Sequence, residues 1–364
     1  MSRAIGLLLL LLGCPSDDGS KGGAVDTAIS IPGTGGSGTG TGTGGSGGGG
    51  SGTGTGTGTG DECLPECDVS NDEPRDPVVP VETATYHLSG RAWREAGQVQ
   101  VVLNPVVKTG TGDRVRNLTE EQVSLTVDGA PLALVELAKV DDEHPVSYDI
   151  VFVIDTTGSM FWAIDGVQAG VRAFLDGVAA TGVDAKVGAI EYGDEVRTSI
   201  DLTNAGSVRS WVGDLEARGG DDPAENALDP ILVAYETFSW RPDAQRFIVL
   251  VTDQGMHECS VGCASHTLAD VVAATRGNVL YGVVHAAVFE PSGLDPKLLT
   301  RTAGGLYVGL DAYDLLGFDI AADTRLDELV GDTHVITAED APDATHVTVT
   351  VSIDDDVAEL TLPL

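Results

Sequence analysis

The chain is short of basic residues. It holds 20 lysines and arginines against 56 aspartates and glutamates, which gives a formal net charge of −36. Nucleic acids and anionic lipid headgroups are themselves polyanionic, so such a surface repels both, and no nucleic-acid partner is expected. The same surplus of carboxylates suits contact with divalent cations.

The sequence also lacks any hydrophobic run long enough to cross a bilayer. The longest, Ile5 to Leu12 in MSRAIGLLLLLLGC, is well below the roughly 20 residues that a spanning helix needs, and is typical of a secretory signal. Its ending, LLGC, resembles the lipobox of bacterial lipoproteins. The resemblance implies a signal peptide over residues 1–14, with Cys14 as the lipidated first residue of the mature chain. An ordinary signal peptide that contains a cysteine is the alternative.

The implied location is a bacterial membrane, reached through the lipid anchor alone. Pro15 and Ser16 follow Cys14, so no aspartate comes directly after it. By the same resemblance, to lipoproteins of diderm bacteria, this favours the outer membrane or the cell surface. Residues 33–60 are almost wholly Gly, Thr and Ser and cannot bury apolar area, so we predict that residues 15–79 comprise a disordered tether and the segment with Cys63 and Cys67.

Cysteine is scarce, with five in the chain. Apart from Cys14, they form two close pairs. Disulfides persist in exported proteins, so local pairing within each pair is the simplest prediction, and cross-pairing stays open. A zinc site is the alternative for the second pair, because two histidines flank it. The disulfide cysteines are Cys63, Cys67, Cys259 and Cys263, and the alternative zinc ligands are His257, Cys259, Cys263 and His266.

Several catalytic motifs are missing. Outside the Gly/Thr/Ser-rich stretch of residues 33–60, the sequence has no G-x-S-x-G elbow, no H-E-x-x-H pair and no phosphate-binding Walker loop. We therefore predict that the protein is not an enzyme. A zinc hydrolase would require His257 and His266 to hold zinc with an open coordination position.

Residues 80–147 read as a small β module. Short alternating stretches, QVQVVL, QVSLTVDG and PLALVEL, are separated by turn signals. The stretch GDRVRNLTEEQVSLTVDGAPLALVEL resembles the β-sandwich modules that precede von Willebrand A-type domains in bacterial surface proteins. Residues 332–364 contain two more alternating strands. Because an isolated hairpin is marginally stable, we predict that these strands pair with residues 80–147 and make the module discontinuous.

Residues 148–331 read as an α/β domain. Near-continuous apolar runs such as YDIVFVID and RFIVLVTD are typical of strands buried on both faces, and helical periods lie between the runs. One predicted helical face carries Ile164, Val167, Val171, Phe174 and Val178. SVRSWVGDLEA, ENALDPILVAYETF and RLDELV predict further helices. The expected fold is a doubly wound, mostly parallel, Rossmann-like sheet, with ligands at the carboxyl ends of its strands.

Polar side chains follow the first of these strands. Asp155 lies at the predicted carboxyl end, and Thr157 and Ser159 come after it in a tight turn that contains Gly158. A carboxylate with hydroxyls is a hard-oxygen set that suits Mg²⁺, Mn²⁺ or Ca²⁺. A helix N-cap is the alternative, since Asp, Thr and Ser are common there.

The stretch DTTGSM after a hydrophobic strand resembles the metal-ion-dependent adhesion site of the von Willebrand factor A family. The resemblance implies a metal site made of Asp155, Thr157, Ser159, Asp221 in ARGGDDPAENAL, and Asp253 in FIVLVTDQG. The sequence reads D-D-P-A-E where several members have D-x-P-E, which displaces Glu225 and leaves open whether Asp222 or Glu225 contributes. LLTRTAGGLYVGLD also resembles a late segment of the family.

The implied cofactor is a divalent cation, Mg²⁺ first and Mn²⁺ or Ca²⁺ as alternatives. A protein or a surface polymer would complete its coordination with a carboxylate. Three carboxylates near the ion imply either a low-affinity resting site or weaker partner binding. The predicted function is cation-dependent protein binding or adhesion by a lipid-anchored, exported protein. A periplasmic scaffold or assembly subunit is the alternative, and a zinc hydrolase is third. Trp162 is predicted to be core, the alternative being an exposed anchor near the metal.

Overall fold

The structure is a computed structural model that describes residues 85–108, 113–140, 146–181, 183–220, 224–258, 265–275, 277–286, 293–310 and 332–364. Several predictions lie outside these residues: the signal peptide, the tether, the RLDELV helix, all five cysteines, and Asp221 and Asp222. The domain boundaries given above stay predictions.

Seventeen strands and five α-helices make up the described part. In chain order the strands are β1 (Tyr86–His87), β2 (Gly90–Glu95), β3 (Gln98–Leu103), β4 (Val106–Lys108), β5 (Arg114–Val115), β6 (Val123–Val127), β7 (Ala130–Leu132), β8 (Leu134–Lys139), β9 (Tyr148–Asp155), β10 (Ala185–Tyr192), β11 (Val196–Thr203), β12 (Gln245–Thr252), β13 (Val279–Ala286), β14 (Gly305–Leu310), β15 (His334–Ala338), β16 (His346–Ile353) and β17 (Asp356–Pro363). The helices are α1 (Ile164–Thr181), α2 (Ala205–Val212), α3 (Leu228–Thr237), α4 (Leu268–Thr275) and α5 (Lys297–Ala303).

The strands before β9 and after β14 form a β-sandwich. One four-stranded sheet has the order β2-β3-β15-β8 and the other β17-β16-β6-β7, while β1, β4 and β5 make a small third sheet. Val101 of β3, Leu125 of β6 and Val349 of β16 belong to one shared core and are almost fully buried. In β6 and β16, buried residues alternate with more exposed neighbours, as the two-residue period of a strand requires. β16 pairs antiparallel with β6, so the C-terminal strands complete sheets that residues 90–139 begin.

The central sheet has the order β11-β10-β9-β12-β13-β14. All its neighbours are parallel except β10 and β11, which pair antiparallel at one edge. All eight residues of β9 are buried, as expected for a strand covered on both faces. Helices α1 and α2 pack on one face, and α3 and α4 pack on the other. This is the doubly wound α/β fold that the sequence predicts.

Helix α3 lies within the predicted segment ENALDPILVAYETF, α2 begins two residues before the predicted SVRSWVGDLEA and ends before it does, and α4 was not predicted. Helix α1 buries Ile164, Val167, Val171 and Phe174 along one face. Asn204 caps α2, because its side chain accepts a hydrogen bond of 3.1 Å from the Ser207 N–H. Helix α3 tolerates Pro230 because the first turn of a helix does not use that residue's N–H. Among the described residues, no helix is both long and apolar enough to span a bilayer.

The prediction that Trp162 belongs to the core is wrong. A 3₁₀ turn, Gly158–Trp162, separates β9 from α1. In this turn Met160 is fully buried, whereas Phe161 and Trp162 are 65% and 73% exposed. The tighter winding of the 3₁₀ turn rotates Trp162 away from the apolar face of α1, and Met160 occupies the inward position instead.

The sandwich contacts the central domain at the amino ends of its parallel strands. The Gly90 N–H donates to the carbonyl of Gly277, just before β13, at 2.8 Å. Arg91 Nε donates to the carbonyl of Pro242, just before β12, at 2.9 Å. The carboxyl ends, where the predicted site lies, are on the opposite edge of the sheet.

Candidate metal centre

Asp155 is the last residue of β9 and is completely buried. Its Oδ1 accepts hydrogen bonds from the Thr157 N–H at 2.9 Å and from Thr157 Oγ1 at 2.8 Å. Its Oδ2 accepts a hydrogen bond of 2.8 Å from Thr252 Oγ1 at the end of β12. The carboxylate is therefore fixed from two adjacent strand ends, as expected where parallel strands finish at one edge.

A chain of oxygens leads from Asp155 to Asp253. Thr157 Oγ1 lies 3.1 Å from Ser159 Oγ, which in turn donates to Asp253 Oδ1 at 2.9 Å. The second oxygen of Asp253, Oδ2, is buried and has no hydrogen-bond partner in the described part of the protein. The structure thus brings four of the five predicted ligands together. The fifth, Asp221, lies outside the described residues.

Glu225 joins this group despite its displacement in the sequence. It forms a parallel bridge with Met256: its N–H donates to the Gly255 carbonyl at 2.9 Å, and its carbonyl accepts from the His257 N–H at 2.8 Å. This short ladder holds Glu225, which is 2% exposed, beside the segment after β12. Glu225 Oε2 is the second buried carboxylate oxygen here with no hydrogen-bond partner among the described residues.

Two consecutive glycines form the wall opposite the turn. Gly219 and Gly220 have φ values of +67° and +91°, which non-glycine residues rarely adopt. A Cβ on Gly220 would lie 3.3 Å from Thr157 Cβ, and one on Gly158 would lie 2.9 Å from the Gly219 carbonyl oxygen. The close approach leaves a cleft of about 80 Å³ lined by Thr157, Gly158, Ser159, Gly219, Gly220, Glu225 and Gln254.

The carboxyl groups of Asp155, Glu225 and Asp253 all have raised pKa values. Burial, reinforced by the charge of Asp155, raises the pKa of Glu225 to about 9 and that of Asp253 to about 7. Burial also raises the pKa of Asp155, against the opposing effect of its hydrogen bonds and of Arg197. In the absence of a cation, burial therefore shifts each of these groups toward its protonated form relative to an exposed carboxyl group.

The neighbouring acidic residue, Glu191, forms an ion pair with Arg218. Its Oε1 accepts from Thr156 Oγ1 at 3.0 Å and lies 2.9 Å from Arg218 Nη2. Arg197 Nη1 donates to the carbonyl and the hydroxyl of Thr156 at 2.6 and 2.8 Å. These contacts fix the backbone between Asp155 and Thr157, and they occupy both arginines next to the site.

The donor set fits a hard divalent cation. The polar side chains that line the cleft are those of Thr157, Ser159, Glu225 and Gln254, and each of them carries an oxygen atom. Mg²⁺, Mn²⁺ and Ca²⁺ prefer oxygen ligands. Within the described ranges no three His, Cys, Asp or Glu side chains form a ligand cluster on their own. Any ion here would accordingly need the hydroxyls of Thr157 and Ser159 as well as carboxylates.

The alternative zinc site is not assembled by the described residues. His266 Nδ1 lies 2.8 Å from Asp229 Oδ1, and His257 is buried. Cys259 and Cys263 are outside the described part, so both the disulfide and the zinc interpretation of this segment stay predictions.

The sequence interpretation missed Thr252, Arg197 and Thr156. Thr252 precedes Asp253 in the stretch VTDQG, and its position at a strand end next to β9 was the available signal. Nothing local in the sequence marks Arg197 or Thr156, whose roles depend on the antiparallel pairing of β10 with β11.

This geometry agrees with a comparison of the sequence with protein families. Residues 149–283 match the von Willebrand factor type A domain. We therefore call the central α/β unit the A-type domain. Proteins with this domain generally use it for interaction with other proteins. No curated protein sequence matches the chain.

Several solved structures are similar to the chain. Conserved hypothetical protein BatB from Bacteroides thetaiotaomicron is 14% identical, with 50% of this chain and 98% of that chain covered and a TM-score of 0.38. A von Willebrand factor type A protein from Catenulispora acidiphila is 12% identical, with 76% and 72% covered and a TM-score of 0.38. Proximal thread matrix protein 1 from the mussel byssus, with a zinc-occupied MIDAS motif, is 14% identical, with 48% and 46% covered and a TM-score of 0.39.

Proposed function

We propose that the A-type domain binds one divalent cation, Mg²⁺ first and Mn²⁺ or Ca²⁺ as alternatives, and uses it to bind another protein. The ligands are Asp155, Thr157, Ser159, Asp221 and Asp253. One observation carries the proposal: Asp253 Oδ2 and Glu225 Oε2 are buried beside the Thr157 and Ser159 hydroxyls with no hydrogen-bond partner in the described part. Buried carboxylate oxygens are normally paired or bound to metal, so this pair favours a cation over a helix cap.

The acidic residues of the site differ in their roles. Asp155 orients Thr157 through the two hydrogen bonds to its Oδ1, and Asp253 orients Ser159. Glu225 adds negative charge at the wall of the cleft, and Asp222 is a further acidic candidate. A bound cation would offer an open coordination position to a carboxylate of the partner. The cleft of about 80 Å³ has room for such a small group and not for a large ligand.

The cellular setting belongs to the same proposal. The chain is exported, becomes lipidated at Cys14 and holds its folded part away from the membrane on the 15–79 tether. The favoured function is reversible, cation-dependent protein binding or adhesion at the outer membrane or cell surface. The second candidate is a periplasmic scaffold or assembly subunit with a fixed partner. Recovery of a salt-resistant complex from membranes would favour the scaffold, and chelator-reversible binding to intact cells would favour adhesion.

Calorimetric titration of the full chain with Mg²⁺, Mn²⁺ and Ca²⁺ tests the proposal. We expect about one ion per chain for the wild type and no binding heat for Asp253→Asn, which keeps the side-chain shape and removes the charge. The matched control is Asp176→Asn on the exposed side of α1, where the aspartate pairs with Arg209. This control should bind the ion like the wild type. Absence of heat with all three cations in the wild type would contradict the proposal.

A further inference from the structure

Two large aromatic side chains stand in solvent next to the candidate metal centre. Phe161 and Trp162 are 65% and 73% exposed, and their rings meet edge to face with centroids 5.3 Å apart. Aromatic side chains of this size normally bury most of their surface, either in a core or in an interface. Their mutual contact leaves most of both rings uncovered.

The backbone of the aromatic pair is fixed directly next to the site. Both residues belong to the 3₁₀ turn that begins directly after Thr157 and that also supplies Ser159. The turn is fixed by hydrogen bonds from the Met160 N–H to the Thr157 carbonyl and from the Ala163 N–H to the Met160 carbonyl, at 3.1 and 2.8 Å. The buried Met160 anchors the turn to the core, so one fixed stretch of backbone carries both the Ser159 hydroxyl and the aromatic pair.

No comparable apolar surface accompanies the cleft elsewhere in the described residues. The other large hydrophobic side chains that are exposed there are three valines. Val135 and Val357 lie in the sandwich, and Val183 precedes β10, at the edge of the sheet opposite the metal centre. Within the described residues, the aromatic pair is thus the apolar contact surface next to the cleft.

We propose that Phe161 and Trp162 form a second contact of the metal-dependent site, and that its partner is a protein surface bearing a single acidic residue beside a large apolar side chain. The acidic residue reaches the cation and the apolar side chain packs on the aromatic pair. This inference rests on the proposed function, because it names the partner chemistry of that same site.

Charge narrows the partner further. The chain carries a net charge of −36, so a partner rich in carboxylates would be repelled even though one carboxylate is needed at the metal. A neutral or basic surface with one acidic residue avoids that repulsion. Aromatic residues also dominate binding energy in many protein interfaces, where they pack in desolvated contacts that salt does not weaken.

The test uses random peptides displayed on phage and selected against the full chain in Mg²⁺. We expect the enriched peptides to share an Asp or Glu with a large apolar residue close by, and to elute with chelator. Affinities of a labelled enriched peptide are then measured by fluorescence anisotropy. The variants Phe161→Ser and Trp162→Ser should each lose about tenfold or more in affinity. Val183→Ser, the matched exposed control, should bind like the wild type.

A double-mutant cycle makes the test specific. Replacing the apolar residue of the peptide with Ala should weaken binding to the wild type and have little further effect on Trp162→Ser. Calorimetry should give Trp162→Ser the same cation affinity as the wild type. The fluorescence of Trp162, one of four tryptophans, should change on peptide binding, and this change should be missing in Trp162→Phe.

The contrary outcomes are distinct. If acidic peptides bind Phe161→Ser and Trp162→Ser as tightly as the wild type, this inference is overturned and the proposed function stands. Apolar peptides that bind in chelator would also overturn it, because the contact would then be independent of the metal. Cation-dependent, Trp162-dependent binding of polygalacturonate without any enriched peptide would replace the protein partner with an acidic polysaccharide. Failure of wild-type calorimetry with every cation would instead defeat the proposed function.

Discussion

Glu225 and Asp253 hold their carboxyl groups in a pocket where protonation would compete with a bound cation. Their raised pKa values, about 9 and about 7, come from burial and from the charge of Asp155. A cation that binds here must displace protons at neutral pH. Its affinity is therefore expected to rise with pH between about 6 and 9.

The first residue-scale prediction concerns the stability of the cation-free protein. The folded-state pKa of Glu225 lies above its ordinary value of 4.5, so the folded protein holds a proton that the unfolded chain releases. The associated stability is present below pH 4.5 and is lost as the pH rises through about 9, by up to about 1.4 kcal/mol per pH unit for one proton. Urea unfolding in chelator should show this decline.

The variant Glu225→Gln should flatten that decline, because it removes the titrating group and keeps the side-chain shape. Glu236→Gln is the control, since Glu236 is exposed on α3 and far from any described carboxylate contact of the site. An unchanged pH dependence in Glu225→Gln would show that another group binds the proton.

The second residue-scale prediction concerns Thr252. Thr252→Val preserves the shape and removes the hydrogen bond to Asp155 Oδ2, leaving a buried carboxylate oxygen without its donor. We expect a loss of about 1–3 kcal/mol in the free energy of unfolding and a weaker cation affinity. Urea unfolding and calorimetry measure the two effects. Thr361→Val, which removes a hydroxyl contact on the exposed face of β17, should change neither by more than about 0.5 kcal/mol.

At the scale of elements, the site depends on how two loops meet. The Gly219–Gly220 segment approaches the turn after β9 so closely that the Gly158 N–H donates to the Gly219 carbonyl at 2.8 Å. The cleft exists because neither loop carries a side chain at this contact. The loop backbone therefore helps to fix the position of Thr157.

We predict that Gly220→Ala lowers both stability and cation affinity. Its φ of +91° costs about 1–3 kcal/mol for a non-glycine residue, and the new Cβ would push against Thr157. Gly97→Ala is the matched control, because Gly97 also has a positive φ, +76°, but no atom within 4 Å of the new Cβ. Denaturation should show a loss for both variants, and calorimetry a loss for Gly220→Ala alone. Equal cation affinity in the two would contradict the argument.

Elements were predictable where hydrophobic pattern decides them. The apolar run Ile150–Ile154 of β9 predicts a strand buried on both faces, and the repeat of Ile164, Val167 and Val171 in α1 predicts a helix with one buried face. The exposure of Trp162 was not predictable from helical spacing, which assumes 3.6 residues per turn. The segment between β9 and α1 is a 3₁₀ turn instead.

Site residues divide in the same way. Asp155, Thr157 and Ser159 could be found from the sequence because a single tight turn carries all three. Glu225 could not be assigned, since its displacement by one residue is compensated by the bridge to Met256, a pairing between segments 31 residues apart. The contact of Arg197 with Thr156 depends on the antiparallel edge strand β11, and no local sequence pattern predicts that pairing.

At the scale of the whole molecule, the sandwich depends on the last strands of the chain. Val349 of β16 is completely buried in the core shared with β3 and β6, whereas Val357 of β17 is 57% exposed. Val349→Ala should lower the free energy of unfolding by about 1.5–3 kcal/mol, and Val357→Ala by less than about 0.5 kcal/mol. Amide hydrogen exchange should speed up in β6, which pairs directly with β16. Unchanged exchange in β6 would show that the C-terminal strands are not needed there.

The A-type domain is inserted between two parts of the sandwich, since β8 comes before it and β15 follows it, and these strands pair with each other. The domain is thus joined to the sandwich by two stretches of chain, residues 140–147 and 311–333, instead of one. A proteolytic cut in either stretch alone would leave the domain covalently attached to the other half of the sandwich.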